Sequence, residues 1–230
     1  MTRKRKVIKE LENPSKSEVF KRKELRPKTA GQQEFLDAIC ENQITICLGP
    51  AGTGKGHVSI GYAVQHLISK QCKKIILSRP IIPGGGEDMG HLPGTADDKI
   101  SPYLQPLLDE LRKFASAPEI QAWKNDKIIE FIPLAHTRGR TFDDAVIIYD
   151  ELQNANKQQI KMVLTRLGQN SKMLLLGDIE QSDLHTRLQG ALQDCFDKLN
   201  GEPGIGTVQL TEKDVVRNEL IVRILRRLKD

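Results

Sequence analysis

Residues 49–56, Gly49-Pro50-Ala51-Gly52-Thr53-Gly54-Lys55-Gly56, place glycines at 49, 52 and 54 ahead of a lysine. Glycines at such spacing open backbone paths closed to other residues, so successive N–H groups can converge on a polyphosphate. Lys55 would add a charge that reaches the β and γ phosphates. The pattern G-x-x-x-x-G-K-[ST] ends in a hydroxyl that holds Mg²⁺, and here that position is Gly56. Phosphate binding is therefore expected over Gly49, Pro50, Ala51, Gly52, Thr53, Gly54, Lys55, Gly56 and His57, with the metal-binding part weakened. A second chemical pair is Asp150-Glu151. In a phosphate-loop enzyme the first carboxylate of such a pair holds Mg²⁺ and the second orients or deprotonates water. The bland alternatives are a glycine-rich helix start with a solvated lysine, and an acidic helix N-terminus favoured by the dipole.

The elements that must position these groups are legible around them. Ile44-Thr45-Ile46-Cys47-Leu48 reads as a buried strand running into the loop, and a helical pattern follows from about Gly54 to Ser69. The apolar run Ala145-Val146-Ile147-Ile148-Tyr149 delivers Asp150-Glu151 at a strand's carboxyl end. Further strands are expected at 73–78, 128–132, 172–176 and 207–211, and helices within 27–39, at 103–115, 118–124, 156–167, 184–199 and 215–229. Alternating strands and helices predict an α/β fold: a three-layer P-loop NTPase architecture with a mostly parallel central sheet and a RecA-like or helicase-like core. Ligands of such sheets sit at the carboxyl edge, where the strand 172–176 also ends in polar residues, Gly177-Asp178-Ile179-Glu180-Gln181.

With 230 residues, 38% hydrophobic and 28% charged, the chain can bury a full core and is not dominated by disorder. The longest apolar runs are far too short to span a membrane and the N-terminus has no apolar signal region, so a cytoplasmic location without a membrane partner is expected. Cys40, Cys47, Cys72 and Cys195 form no C-x-x-C pair, which suggests neither a disulfide framework nor a zinc site. A net charge of +5 is compatible with a polyanionic partner without demanding one.

Residues 1–26, with Arg3-Lys4-Arg5-Lys6 and Lys21-Arg22-Lys23, read as a basic mobile arm ahead of a domain at 27–230. Gln32 is placed just before the first strand, where its amide could read an adenine edge or simply cap a helix. Residues 80–102, with Gly84-Gly85-Gly86 and Leu92-Pro93-Gly94, form a long irregular stretch of the kind that is more often functional than idle. Arg138-Gly139-Arg140 could grip phosphates or be an idle surface pair.

The ordered series Pro27-Lys28-Thr29 with Gln32, Gly49 to Lys55, Ser78-Arg79-Pro80, Leu92-Pro93-Gly94, Pro102-Tyr103, Arg138-Gly139-Arg140-Thr141-Phe142, Asp150-Glu151-Leu152-Gln153-Asn154, Leu164-Thr165-Arg166, Gly177-Asp178 with Gln181, and Asp214-Val215-Val216-Arg217 resembles the PhoH-like family. That family comprises P-loop ATPases similar to the motor core of superfamily 1 helicases. The resemblance implies that Gln32 contacts adenine, Lys55 the phosphates, Asp150 the magnesium and Glu151 the attacking water. It further implies that Gln153 and Gln181 sense the γ-phosphate and that Arg217 serves as an arginine finger. It implies ATP and Mg²⁺ as ligands, a homo-oligomeric ring of six subunits, and a link to RNA. Two positions depart from the family: Gly56 stands in place of Thr, and Leu152 in place of the usual Ala. Ser59, one turn further along the helix, is too deep to replace the missing hydroxyl.

Two readings follow. The first is an ATPase coupled to RNA or single-stranded DNA, with subunit closure supplied by a neighbour because one motor core fills this length. The second is a hydrolysis-impaired, nucleotide-dependent oligomeric scaffold, in which Gly56 has removed activity while binding persists.

Overall fold

The computed structural model describes residues 23–81, 96–184, 190–216 and 227. Among them the elements run α1 (Ala30–Glu41), β1 (Ile44–Leu48), α2 (Lys55–Ile68), β2 (Lys74–Arg79), α3 (Ala96–Leu111), α4 (Ala117–Asn125), β3 (Ile129–Pro133), β4 (Ala145–Tyr149), α5 (Lys157–Leu164), β5 (Lys172–Gly177), α6 (Ala191–Leu199) and β6 (Ile205–Gln209). The six strands form one sheet in the order β3-β2-β4-β5-β1-β6. Every pairing is parallel.

A parallel sheet covered on both faces needs strands that are apolar on both sides, which is why β1 and β4 read as continuous hydrophobic runs. Alternate residues divide between two cores. Cys47, Ile75, Leu77, Val146, Ile148 and Leu176 face α1 to α4, where Phe35, Ile39, Val58, Ile60, Leu111 and Ile120 are buried. Ile46, Leu48, Ile76, Ile147, Tyr149 and Leu175 face α5 and α6, where Ile160, Val163 and Leu192 are buried. The result is the expected three-layer sandwich, with all described strands parallel.

Local chemistry sets the helix ends. The Thr29 hydroxyl accepts from the Gln32 N–H at 3.1 Å and caps α1. Asn156 and Gln159 cap α5 reciprocally, at 3.0 and 2.8 Å.

Register aligns the strand ends that matter. Leu48 pairs with Gly177 across β1 and β5, and Ser78 pairs with Tyr149 across β2 and β4. Gly49, Arg79, Asp150 and Asp178 therefore emerge at one edge of the sheet.

Three expectations need correction. Helix α3 begins at Ala96, inside the stretch expected to be irregular, and runs through Pro102 to Leu111. Strand β6 lies two residues earlier than expected, because its pairing with β1 matches Ile44 to Ile205 and Leu48 to Gln209. Leu25, assigned to the mobile arm, is 7% exposed and belongs to the core beside Phe114, so ordered packing starts before residue 27. Residues 1–22, the glycine cluster at 84–86 and most of the expected helix at 215–229 lie outside the described residues.

Candidate nucleotide site

The loop after β1 folds as its glycines require. Gly52 and Gly54 lie at φ 86° and 88°, and a Cβ at Gly54 would sit 2.6 Å from Gln32 Nε2. Gly54 then starts α2, so the first N–H groups of a fourteen-residue helix open toward the loop. The Thr53 hydroxyl donates to the Pro50 carbonyl at 2.8 Å and closes the turn. Lys55 Nζ donates to the carbonyls of Gly49 and, at 3.0 Å, Pro50. The lysine is thus folded back over its own loop.

Two polar residues from elsewhere hold this shape. Asp178, 5% exposed at the end of β5, accepts from the Ala51 N–H at 2.9 Å. Gln32, 3% exposed, donates to the Thr53 carbonyl at 2.9 Å and accepts from the Lys28 N–H at 2.8 Å. One N–H and one lone pair of the Gln32 amide remain after these bonds. Asp214 and Val216 also reach this region. Val216 N–H donates to the Gly52 carbonyl at 2.9 Å, and Asp214 accepts from the Thr29 hydroxyl at 2.7 Å and the Gly31 N–H at 3.2 Å.

A cavity of about 560 Å³ opens over the loop, lined by Ala51, Gly52, Gly54, Lys55, Gly56 and His57. Gln32, Asp150 and Glu151 form further parts of its wall, with Lys28 and Lys113 at its rim. That size suits a nucleotide. His57 Nδ1 lies 3.1 Å from Glu110 Oε2, which orients the imidazole within the wall.

The acidic pair stands opposite. Burial pushes the Asp150 carboxyl up to about 6, the adjacent Glu151 charge adds to this, and Arg79 acts in the other direction. Glu151 forms an ion pair with Arg79 at 3.0 Å and accepts from the Gln153 amide. Gln153, 4% exposed, also accepts from the Asp178 N–H at 3.0 Å. A continuous chain of contacts thus runs from the Ala51 amide through Asp178, Gln153 and Glu151 to Arg79.

The expected site residues converge unequally. Gln32, Lys55, Gly56, His57, Asp150 and Glu151 share the cavity. Gln153 lies just behind it, and Gln181, in a short 3-10 turn after β5, has an exposed side chain. Arg217 lies outside the described residues. Arg140 is committed to Glu130 at 2.8 Å, whereas Arg138 is exposed. Ser59 is fully buried with an unpartnered hydroxyl, as its depth along α2 requires. Sequence reasoning gave no role to Arg79 and did not pair Asp178 with Ala51, although both sit at strand ends where such roles arise.

The loop, the strand-end acid and the all-parallel sheet together define a P-loop NTPase fold. A family description, "PhoH-like protein", matches residues 24–229, and the chain belongs to that family. It is 43% identical over 205 residues to a PhoH-like protein of Bacillus subtilis, covering 89% of this chain and 64% of the relative. It is 38% identical over 196 residues to Protein PhoH of Escherichia coli K12, covering 84% of this chain and 55% of the relative. The chain therefore spans less than two thirds of the length of these curated relatives. In fold it is similar to the large terminase of a thermophilic bacteriophage, with a TM-score of 0.56 at 13% identity, over 89% of this chain and 51% of that one. No helix among the described residues is long and apolar enough to cross a membrane.

Proposed function

We propose that the chain binds ATP and hydrolyses it to ADP and phosphate. The observation that carries this reading is the meeting of the Lys55 loop with Asp150 and Glu151 in one cavity of nucleotide size. Lys55 would leave the Gly49 and Pro50 carbonyls to contact the phosphates, and the loop N–H groups would bind phosphate oxygens. Gln32 is assigned to the adenine edge through its remaining donor and acceptor. Glu151 would orient the attacking water.

Magnesium fits the residues present. Asp150 offers one carboxylate, and a Cβ at Gly56 would meet nothing within 4 Å, leaving room beside the loop for water to complete a shell. A single carboxylate with phosphate and water ligands is the usual protein share of a Mg²⁺ site. The ion would neutralise charge developing on the transferring phosphate. Gln153 and Gln181 are proposed to sense the γ-phosphate and Arg217 to act as an arginine finger.

Coupling to RNA or single-stranded DNA, through the basic arm and Arg138, and assembly into a ring with six subunits complete the proposal. The missing hydroxyl at Gly56 favours one second reading, a nucleotide-dependent scaffold with impaired turnover. Phosphate release measured with and without single-stranded RNA or DNA separates them: stimulated release supports the coupled ATPase, and binding without release supports the scaffold. Mixing Arg217→Ala with Lys55→Ala subunits tests the ring. Restored turnover places the arginine at a neighbour's site, and no restoration argues against that placement.

A further inference from the structure

Glu151 adopts a left-handed backbone conformation, φ 56° and ψ 35°. Lys70, Lys127, Asp144 and Asn170 share a positive φ, so it is the contacts around Glu151 that set it apart. The surroundings here are specific. Asp150 N–H donates to the Ser78 carbonyl at 2.9 Å, tying the turn to β2, and Asn154 N–H donates to the Glu151 carbonyl at 3.0 Å. The side chain is held at both oxygens: Arg79 Nη2 lies 3.0 Å from Oε1, and the Gln153 amide donates to Oε2.

Arg79 is the last residue of β2, and its side chain is 22% exposed against 32% for Glu151. This partial shielding separates the pair from surface ion pairs, whose geometry is loose and screened. Asp150 and Glu151 are among the residues that line the nucleotide cavity, and Arg79 is not. Without the guanidinium, Glu151 would keep its contact to Gln153 but lose the cation paired directly with its carboxylate beside Asp150.

We propose that Arg79 is a positioning residue that fixes the Glu151 carboxylate at the carboxyl edge of the sheet and makes no contact with nucleotide. The proposal rests on the ATPase reading. Phosphate release and equilibrium nucleotide binding are to be measured for the unmutated chain, Arg79→Ala, Arg79→Lys, Glu151→Gln and the double variant Arg79→Ala/Glu151→Gln. Arg79→Ala is expected to lower kcat about 10- to 100-fold by misplacing the carboxylate, with nucleotide affinity changed by less than about twofold. Arg79→Lys is expected to keep part of the rate. In the Glu151→Gln background, Arg79→Ala is expected to have no further effect, because both changes remove one function. Equal losses in both backgrounds, or a loss of nucleotide affinity, would assign the arginine to the phosphates and overturn the proposal. Should Arg79→Ala fail to fold, Arg79→Lys and Arg79→Gln carry the same cycle. Unimpaired turnover in Arg79→Ala would refute the positioning role alone. An unmutated chain that binds ATP and never releases phosphate would refute the hydrolytic reading and this role with it.

Discussion

The buried carboxylate of Asp178 accepts a hydrogen bond from the Ala51 N–H at 2.9 Å, so one amide of the phosphate-binding loop is already paired with an anion of the protein itself. The second oxygen of Asp178 accepts from the Glu180 N–H at 3.2 Å. The loop is therefore held by a residue from the end of the neighbouring strand β5.

Asp178→Ala would leave the Ala51 amide without its partner. Loss of a charge-assisted bond of this kind costs about 2 kcal/mol. In a chain of this size that corresponds to a fall of roughly 4–8 °C in Tm, read by calorimetry without nucleotide. An unchanged Tm would show that the contact contributes nothing to the folded loop.

Gly56→Thr should tighten Mg²⁺-dependent nucleotide binding and raise turnover. A Cβ at Gly56 meets nothing within 4 Å, so the side chain enters open space at the start of α2. Threonine is also less costly than glycine in a helix, by a few tenths of a kcal/mol. Titrating Mg²⁺ at fixed ATP reads the effect. A curve that does not move would mean that water already completes the shell.

Asp150 gives the metal-free chain a pH dependence. Its carboxyl is raised from 3.8 to about 6 in the fold, so the folded chain holds this proton more tightly than the unfolded chain. The stabilisation is complete below the unfolded value and is lost as pH rises through about 6. Unfolding free energy without nucleotide or metal should therefore carry a component that falls by about 2 kcal/mol between pH 4 and 7. Asp214, held low by bonds from Thr211, Thr29 and Gly31, acts in the opposite sense. Comparing the chain with Asp150→Asn isolates the first component: the difference between the two should change across this window, and parallel curves would contradict it.

The sequence made the site legible where its parts are contiguous. The loop from Gly49 to Lys55 and the run from Ala145 into Asp150-Glu151 each carry their own strand, and a continuous apolar run on a doubly covered sheet is hard to mistake. Pairings across the sheet left no such trace. Arg79 meets Glu151, and Asp178 meets Ala51, only because register brings the ends of β2, β4, β5 and β1 to one edge, and no local spacing encodes that. The stretch through Pro102 was expected to be irregular, yet α3 runs through it from Ala96. Leu25 was hidden among charged neighbours, a single apolar residue that packs, with Phe114, against the bare backbone of Gly61.

Lys55 carries the central claim: its ammonium, bonded to the Gly49 and Pro50 carbonyls, is proposed to exchange them for a phosphate. Phosphate release from Mg²⁺-ATP, measured beside equilibrium ATP binding for the unmutated chain and Lys55→Ala, tests it most directly. The account predicts release by the unmutated chain, and for Lys55→Ala a loss of about 2 kcal/mol in binding, roughly thirtyfold in affinity, with turnover abolished. Equal ATP affinity and equal phosphate release by the two proteins would contradict it.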